Sequence, residues 1–316
     1  MQIKNWIVRI IAISAMGMAG TANAILTLTA AGTSQGFSLT TFASGFPATG
    51  YCCGPLGIGF TPSGGVTVVD YAGPVVTFAT DTDNQLYSSA TVGANYSGLA
   101  PVGFAQVGGN YYMTLQSGSV IQTTATGAYI RTVVPLGGAT GLVADPATGK
   151  LYVSASGGIY RIDPVANTSV LVIGGGFDGL SVSGSTLYAE GGGQILGYNT
   201  TTFANTYASG GIPGGPDGVA IGTGSLANLL FINSNDGTFW EQDITTHVLT
   251  LLATGGSRGD FVQVDPNGSL LITQTDSIMR LTAASGGGFE TSVPEPGTLA
   301  LVGLAIAGLG LRRRKN

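Results

Sequence analysis

Residues 139–175 read ATGLVADPATGKLYVSASGGIYRIDPVANTSVLVIGG. Four short runs rich in Val, Ile, Leu and Tyr stand out: Leu142–Ala144, Lys150–Ser154, Ile159–Ile162 and Ser169–Ile173. Their apolar residues recur at period two, and the runs are separated by the turn formers Asp145–Gly149, Gly157-Gly158 and Asp163-Pro164. This is the pattern of four antiparallel strands joined by tight turns.

The same grammar recurs on both sides. Copies begin near Gly57, Gly103, Gly141, Gly179, Gly218 and Asp260, spaced by 46, 38, 38, 39 and 42 residues. A period of about 40 residues with four strands per unit predicts the blades of a β-propeller. Helical repeats are excluded, because glycine falls where helix interiors would have to lie. The last copy supplies only three strands. FSLTTFASGF (37–46) resembles the fourth-strand pattern of ANTYASGGIP and LTLLATGGSR. The expected fold is therefore all-β: a propeller of six four-stranded blades closed by the N-terminal strand, which removes exposed sheet edges. The first unit is irregular between Asp81 and Leu99.

Composition agrees. The 316 residues contain 53 glycines, about 17% against a usual ~7%, without a collagen-like period. Charge is sparse: 11 basic residues against 16 acids. Six of the basic residues (Lys4, Arg9, Arg312, Arg313, Arg314 and Lys315) lie in the two end segments, so the body carries about −10. Nucleic-acid binding needs clustered cations to release counterions, and the body has none, which excludes nucleic acid as a partner.

The ends have their own signatures. Residues 1–24 place Lys4 and Arg9 before an apolar run and finish on Ala22-Asn23-Ala24, the small-x-small pattern of a cleaved secretory leader. Residues 293–316 begin with Val293-Pro294-Glu295-Pro296, whose prolines exclude helix. They continue with an apolar run from Thr298 to Leu311 and end on Arg312, Arg313, Arg314 and Lys315. An apolar helix of that length is a marginal, transient span of an inner membrane, with the arginines held on the cytoplasmic side. The expected organisation is leader 1–24, propeller body 25–292 and sorting tail 293–316.

On these residues the tail resembles the PEP-CTERM sorting domain, also described as the ice-binding protein C-terminal domain. The resemblance implies export in a Gram-negative bacterium that makes exopolysaccharide. It also implies an exosortase as partner, an integral-membrane enzyme that recognises and removes the tail. GLVADPATGKLYVSASGGIYRID (141–163) resembles a repeat of the NHL and SMP-30/gluconolactonase-like six-bladed propellers. That likeness implies a Glu, Asn and Asp set around a divalent cation, and the Glu has no legible counterpart here.

Candidate chemistry is thin. Thr140, Asp178, Asp217 and Asp260 each enter an inner strand, and a closed ring would bring them to one mouth of the channel. Three carboxylates there could hold Ca²⁺ through oxygen ligands, whereas Asp-Gly pairs also make turns. Asp81–Asn84 and Asn233–Gly237 resemble fragments of calcium loops but read better as turns. His247 is the only histidine and has no candidate nucleophile beside it in the sequence, so a zinc site or His-dependent triad is difficult to build and it reads as a solvated turn residue. Cys52 and Cys53, the only cysteines, fit a vicinal disulfide, an interchain link or two free thiols. Tyr51, Tyr96, Tyr111, Tyr198, Phe203 and Trp240 read as blade packing or as sugar-stacking platforms.

The function expected from this reading is that of an exported surface or matrix protein. It is processed by an exosortase and is a non-enzymatic propeller that binds exopolysaccharide or surface proteins in a biofilm. No cofactor is expected beyond the candidate Ca²⁺. The alternative is an extracellular SMP-30-type hydrolase using a divalent cation.

Overall fold

A computed structural model describes residues 25–47, 53–285 and 287–289. Within them the chain forms six sheets that each contain one four-stranded blade, in sequence order from the channel outward in the first five. The third blade is typical: Leu142–Asp145, Lys150–Ala155, Gly158–Asp163 and Thr168–Gly174 pair antiparallel in succession. The turns form as their residues dictate. Asp145 Oδ1 accepts the N–H of Ala147 at 3.0 Å, and Asp163 Oδ1 accepts those of Val165 and Ala166 at 3.0 and 3.1 Å. These are side-chain turns of the kind Asp and Asn favour.

The anchor positions found in the sequence have a common physical cause. Each inner strand lies so close to the next that a Cβ on Gly141 would collide with Asp178 O, and one on Gly179 with Asp217 O. Gly103 abuts Thr140 O and Gly218 abuts Asp260 O in the same way. In every case the glycine meets the carbonyl just before the next blade's anchor. In the sixth blade that register makes Phe261 the anchor and Asp260 the residue before it.

Ring closure follows the expectation. Ser38–Ser44 pairs antiparallel with Ser277–Thr282 and completes the sixth blade, whose other strands are Val262–Val264 and Leu270–Thr273. Phe42 is fully buried and meets Phe78 of the first blade edge-on at 5.4 Å. Burial of such a ring contributes about 2–3 kcal/mol. Hydrophobic clusters fill the blade interiors and the gaps between blades. Tyr96, Tyr111 and Tyr198 are buried among them, as blade packing requires.

Three features lie outside the repeat. Thr27–Leu28 covers the outer edge of the fifth blade by pairing with Thr254 and Ala253, and Gly287–Phe289 pairs antiparallel with residues 222–224 at the end of that blade's inner strand. The irregular part of the first blade crosses the seam, where Gln85–Leu86 pairs in parallel with Ala43–Ser44. Among the described residues no helix is long and apolar enough to cross a membrane. The apolar run expected to be a tail helix, the sorting residues Val293–Pro296 and Arg312–Arg314, and the cleavage residues Ala22 and Ala24 all lie outside the described residues.

Candidate functional site

The inner strands line a narrow channel. Ile58, Phe104, Leu142, Leu180, Val219 and Val262, one from each blade, are among the residues around a cavity of about 80 Å³. One step outward along each strand is the anchor position, and one step further is the channel mouth. Thr140, Asp178, Asp217 and Asp260 therefore reach one mouth from four consecutive blades, as the repeat register requires. In the first two blades the same position is apolar. Leu56 and Val102 are buried there with Cys53, against Tyr71 and Phe261. The mouth is thus divided into an acidic half and an apolar half.

Arg258 holds the acidic half together. Its Nε donates to Asp260 Oδ1 at 3.0 Å, and its Nη2 lies 3.5 Å from Asp217 Oδ2. The two carboxylates are almost fully buried, while the arginine side chain is 38% exposed. Burial pushes Asp217 well above the usual carboxylate range, and the neighbouring charges of Asp178 and Asp260 push it further against the pull of Arg258. Asp178 is raised by burial and lowered by its bond to Thr140. Asp260 is also raised by burial, but Arg258 and a hydrogen bond from Asp217 hold it back. Asp217 is thus the more strongly raised of the two, and Asp260 is the closer partner of Arg258. Burial lowers the pKa of Arg258, yet the surrounding carboxylates outweigh this and raise it.

The sequence reading missed three members of the site. Glu190 stands where the neighbouring blades carry Ser154 and Asn233, and it is raised by burial and by the charge of Asp178. Asn233 is fully buried; its Nδ2 donates to Thr273 O at 3.0 Å while its Oδ1 has no partner. Arg258 is a lone basic residue in the Gly255–Asp260 turn of a body with few bases, and no pattern in the sequence marks it as part of the site. Cys53 is disulfide-bonded and its Sγ lies 3.9 Å from Asp260 Oδ1, while Cys52 lies outside the described residues.

The divalent cation that the propeller resemblance implies does not fit these residues. The guanidinium of Arg258 lies between Asp217 and Asp260 where a cation would have to bind. No group of three or more His, Cys, Asp or Glu suited to a metal occurs among the described residues. Asn233–Gly237 is a turn closed by Ser234 N and Thr238 O, and Asp81 and Asp83 are taken by Arg280. His247 is an exposed turn residue with positive φ, stacked on Tyr207 at 5.4 Å.

Fold and site together define a six-bladed β-propeller with a buried carboxyl cluster at its channel mouth. Residues 292–315 match the PEP-CTERM protein-sorting motif, which implies an exported protein processed by an exosortase. No curated protein matches the sequence. Among solved structures, a gluconolactonase from Xanthomonas campestris superposes with a TM-score of 0.63 at 15% identity, over 82% of this chain and 95% of that one. A glucose dehydrogenase superposes at 0.55 and 14% identity, over 78% and 100%. An auxiliary nutrient binding protein from Bacteroides thetaiotaomicron does so at 0.58 and 12%, over 78% and 76%. These likenesses are of fold. They correct the expectation of a non-enzymatic protein: that expectation rested on a metal-set Glu with no legible counterpart and on the export signals, and propellers of this shape include proteins named as enzymes.

Proposed function

We propose that the chain is an exported surface propeller that hydrolyses an ester or lactone bond of a sugar acid in the extracellular polysaccharide. The observation that carries this reading is the pair of buried carboxyls at the mouth of the channel held by one guanidinium, Arg258 Nε lying 3.0 Å from Asp260 Oδ1 and its Nη2 3.5 Å from Asp217 Oδ2. Carboxyls whose surroundings push their pKa values apart are the usual basis of acid–base assignments. Asp260 as carboxylate takes a proton from the attacking water, whose oxygen adds to the acyl carbon. Asp217 gives its proton to the departing alkoxide oxygen as the C–O bond breaks, so one water is consumed and an acid and an alcohol are formed. Arg258, partly exposed, faces the negative charge that develops on the acyl oxygen. Tyr71, the partly exposed ring of the apolar half, takes a sugar ring face, with Asp178 and Glu190 accepting from its hydroxyls. The leader and the tail deliver this body across the inner membrane of a Gram-negative cell to the surface.

The test is hydrolysis of a panel of sugar lactones and acylated polysaccharides by the purified protein. Asp217→Asn is expected to lower kcat by about 10²–10⁴-fold, the usual worth of a positioned acid, with the fold intact. Turnover left unchanged by Asp217→Asn, or no turnover of any member, sinks the reading.

A further inference from the structure

In the sixth blade the turn Asp265-Pro266-Asn267-Gly268 joins the first two strands. Asn267 is the only asparagine of the chain that precedes a glycine. Glycine has no Cβ to shield its nitrogen, which leaves the neighbouring side-chain amide open to attack by that nitrogen. Asn267 is exposed, and nothing lies within 4 Å of where a Cβ on Gly268 would stand. In the closed ring, hydrogen bonds hold both reacting groups. Gly268 N donates to Asp265 O at 2.8 Å, and Asn267 Oδ1 accepts Ser269 N at 2.8 Å. Asn267 Nδ2 donates across the seam to Asp81 Oδ2 at 3.0 Å. That last bond ties the sixth blade to the irregular part of the first, where Asp81, Asp83 and Asp265 already share the guanidinium of Arg280. The turn itself does not require asparagine, since the third blade builds its counterpart with Ala147 and Thr148.

We propose that Asn267 is a spontaneous modification site at which deamidation unlocks the ring: closure protects the amide, and the carboxyl formed once the seam opens repels Asp81 and hinders reclosure. In the step, Gly268 N loses its proton and bonds to Asn267 Cγ, the Cγ–Nδ2 bond breaks, and ammonia leaves with that proton. Water then opens the cyclic imide at either carbonyl and gives an aspartyl or an isoaspartyl link, so one water is consumed and one ammonia released. The product inverts the chemistry at the seam. A donor to Asp81 becomes an acceptor, and a fourth carboxyl joins three around one cation, where like-charge repulsion disrupts as it does for any added negative charge. The isoaspartyl form also lengthens the main chain of the turn by a methylene. The proposal stands apart from the hydrolytic reading, because it concerns the seam and not the channel mouth.

The experiment incubates the full chain folded and in urea, beside Arg280→Ala, and follows the tryptic peptide 259–280, in which Asn267 is the only asparagine, by mass spectrometry. The mass gain of deamidation is expected at least about tenfold faster in urea than in the folded wild type, because reaction of an opened segment tracks its open population. Arg280→Ala, folded or not, is expected to react faster than wild type. Two further variants separate the new charge from the lost bond. Asn267→Asp is expected to lower the folding equilibrium constant about tenfold below that of Asn267→Ala in urea unfolding, a like-charge contact discounted for solvent, and to open residues 79–90 to amide exchange. An Asn267→Asp chain that fails to fold while Asn267→Ala folds supports the proposal equally. Deamidation as fast in the folded chain as in urea overturns it, as does Arg280→Ala reacting no faster than wild type or Asn267→Asp matching Asn267→Ala in stability.

Discussion

Single residues carry the closest tolerances in this ring. Gly179 leaves no room for a Cβ against Asp217 O, whereas Gly137 has nothing within 4 Å of that position and no positive φ. Gly179→Ala is therefore expected to lose about 2–3 kcal/mol, the cost of forcing atoms into packed structure, and Gly137→Ala to be near neutral. Urea unfolding of the two variants measures the contrast. A second residue-scale effect is pH. Burial lifts Asp70, whose Oδ2 has no partner, to about 6, and lifts Asp81 to about 6 against the pull of Arg280. In the unfolded chain both titrate near 3.8. Between those values the folded state holds more protons, so stability is greatest below about pH 4 and falls as pH rises to about 6. Asp163 and Asp243 are shifted the other way, by the Lys150 bond and the Thr246 N–H, but both reach solvent and are screened. Thermal midpoints measured from pH 4 to 7 should decline, and Asp70→Asn should flatten that decline. A midpoint that rises with pH contradicts this account.

At the scale of elements, the seam decides whether the blades form a ring. Ser38–Ser44 is one closure, and the excursion from the first blade is a second. Arg280 is buried; it pairs with Asp81, Asp83 and Asp265, donates to Ser269 Oγ at 2.7 Å, and stacks over Phe42 at 5.3 Å. Asp83 also accepts from Thr40 at 2.6 Å and Asp81 from Asn267 at 3.0 Å. The first and last blades are thus tied through one cation. Removing a partner from such a network leaves buried charge uncompensated, at a cost of about 3–5 kcal/mol. Arg280→Ala is expected to lose that much in urea unfolding. It should also open residues 79–90 to amide exchange ahead of the blade cores; equal protection in both proteins would show that the network does not hold the seam. The sequence showed this stretch only as irregular, since its partners lie almost 200 residues away in the chain.

For the whole molecule, the sorting tail and the propeller answer different questions. The motif at residues 292–315 states a route, and mass spectrometry of the protein recovered from the cell surface should find a C-terminus that precedes Arg312. An intact Arg312–Lys315 end would contradict exosortase removal. The propeller states a shape that accommodates both catalysis and binding, as the named structural neighbours do. Blade number, strand order and closure were legible because each blade is a local unit that repeats the same hydrophobic period and turn chemistry. The convergence of Asp178, Asp217 and Asp260 was legible too, because a repeat register places equivalent positions at one end of the ring.

The occupant of that mouth was not legible. Arg258 precedes an inner strand just as any turn residue does, and nothing in its spacing shows that its guanidinium folds back between two carboxyls. Glu190 and Asn233 enter from second strands, so no period in the first strands points to them. The sequence by itself determined the repeat, the closing strand and the sorting motif, since these depend on periodicity, turn formers and short ordered motifs along the chain. Only the tertiary structure decided which charge meets which. The electrostatics of a buried cluster depend on distance and desolvation across blades, and these exist only once the ring has closed.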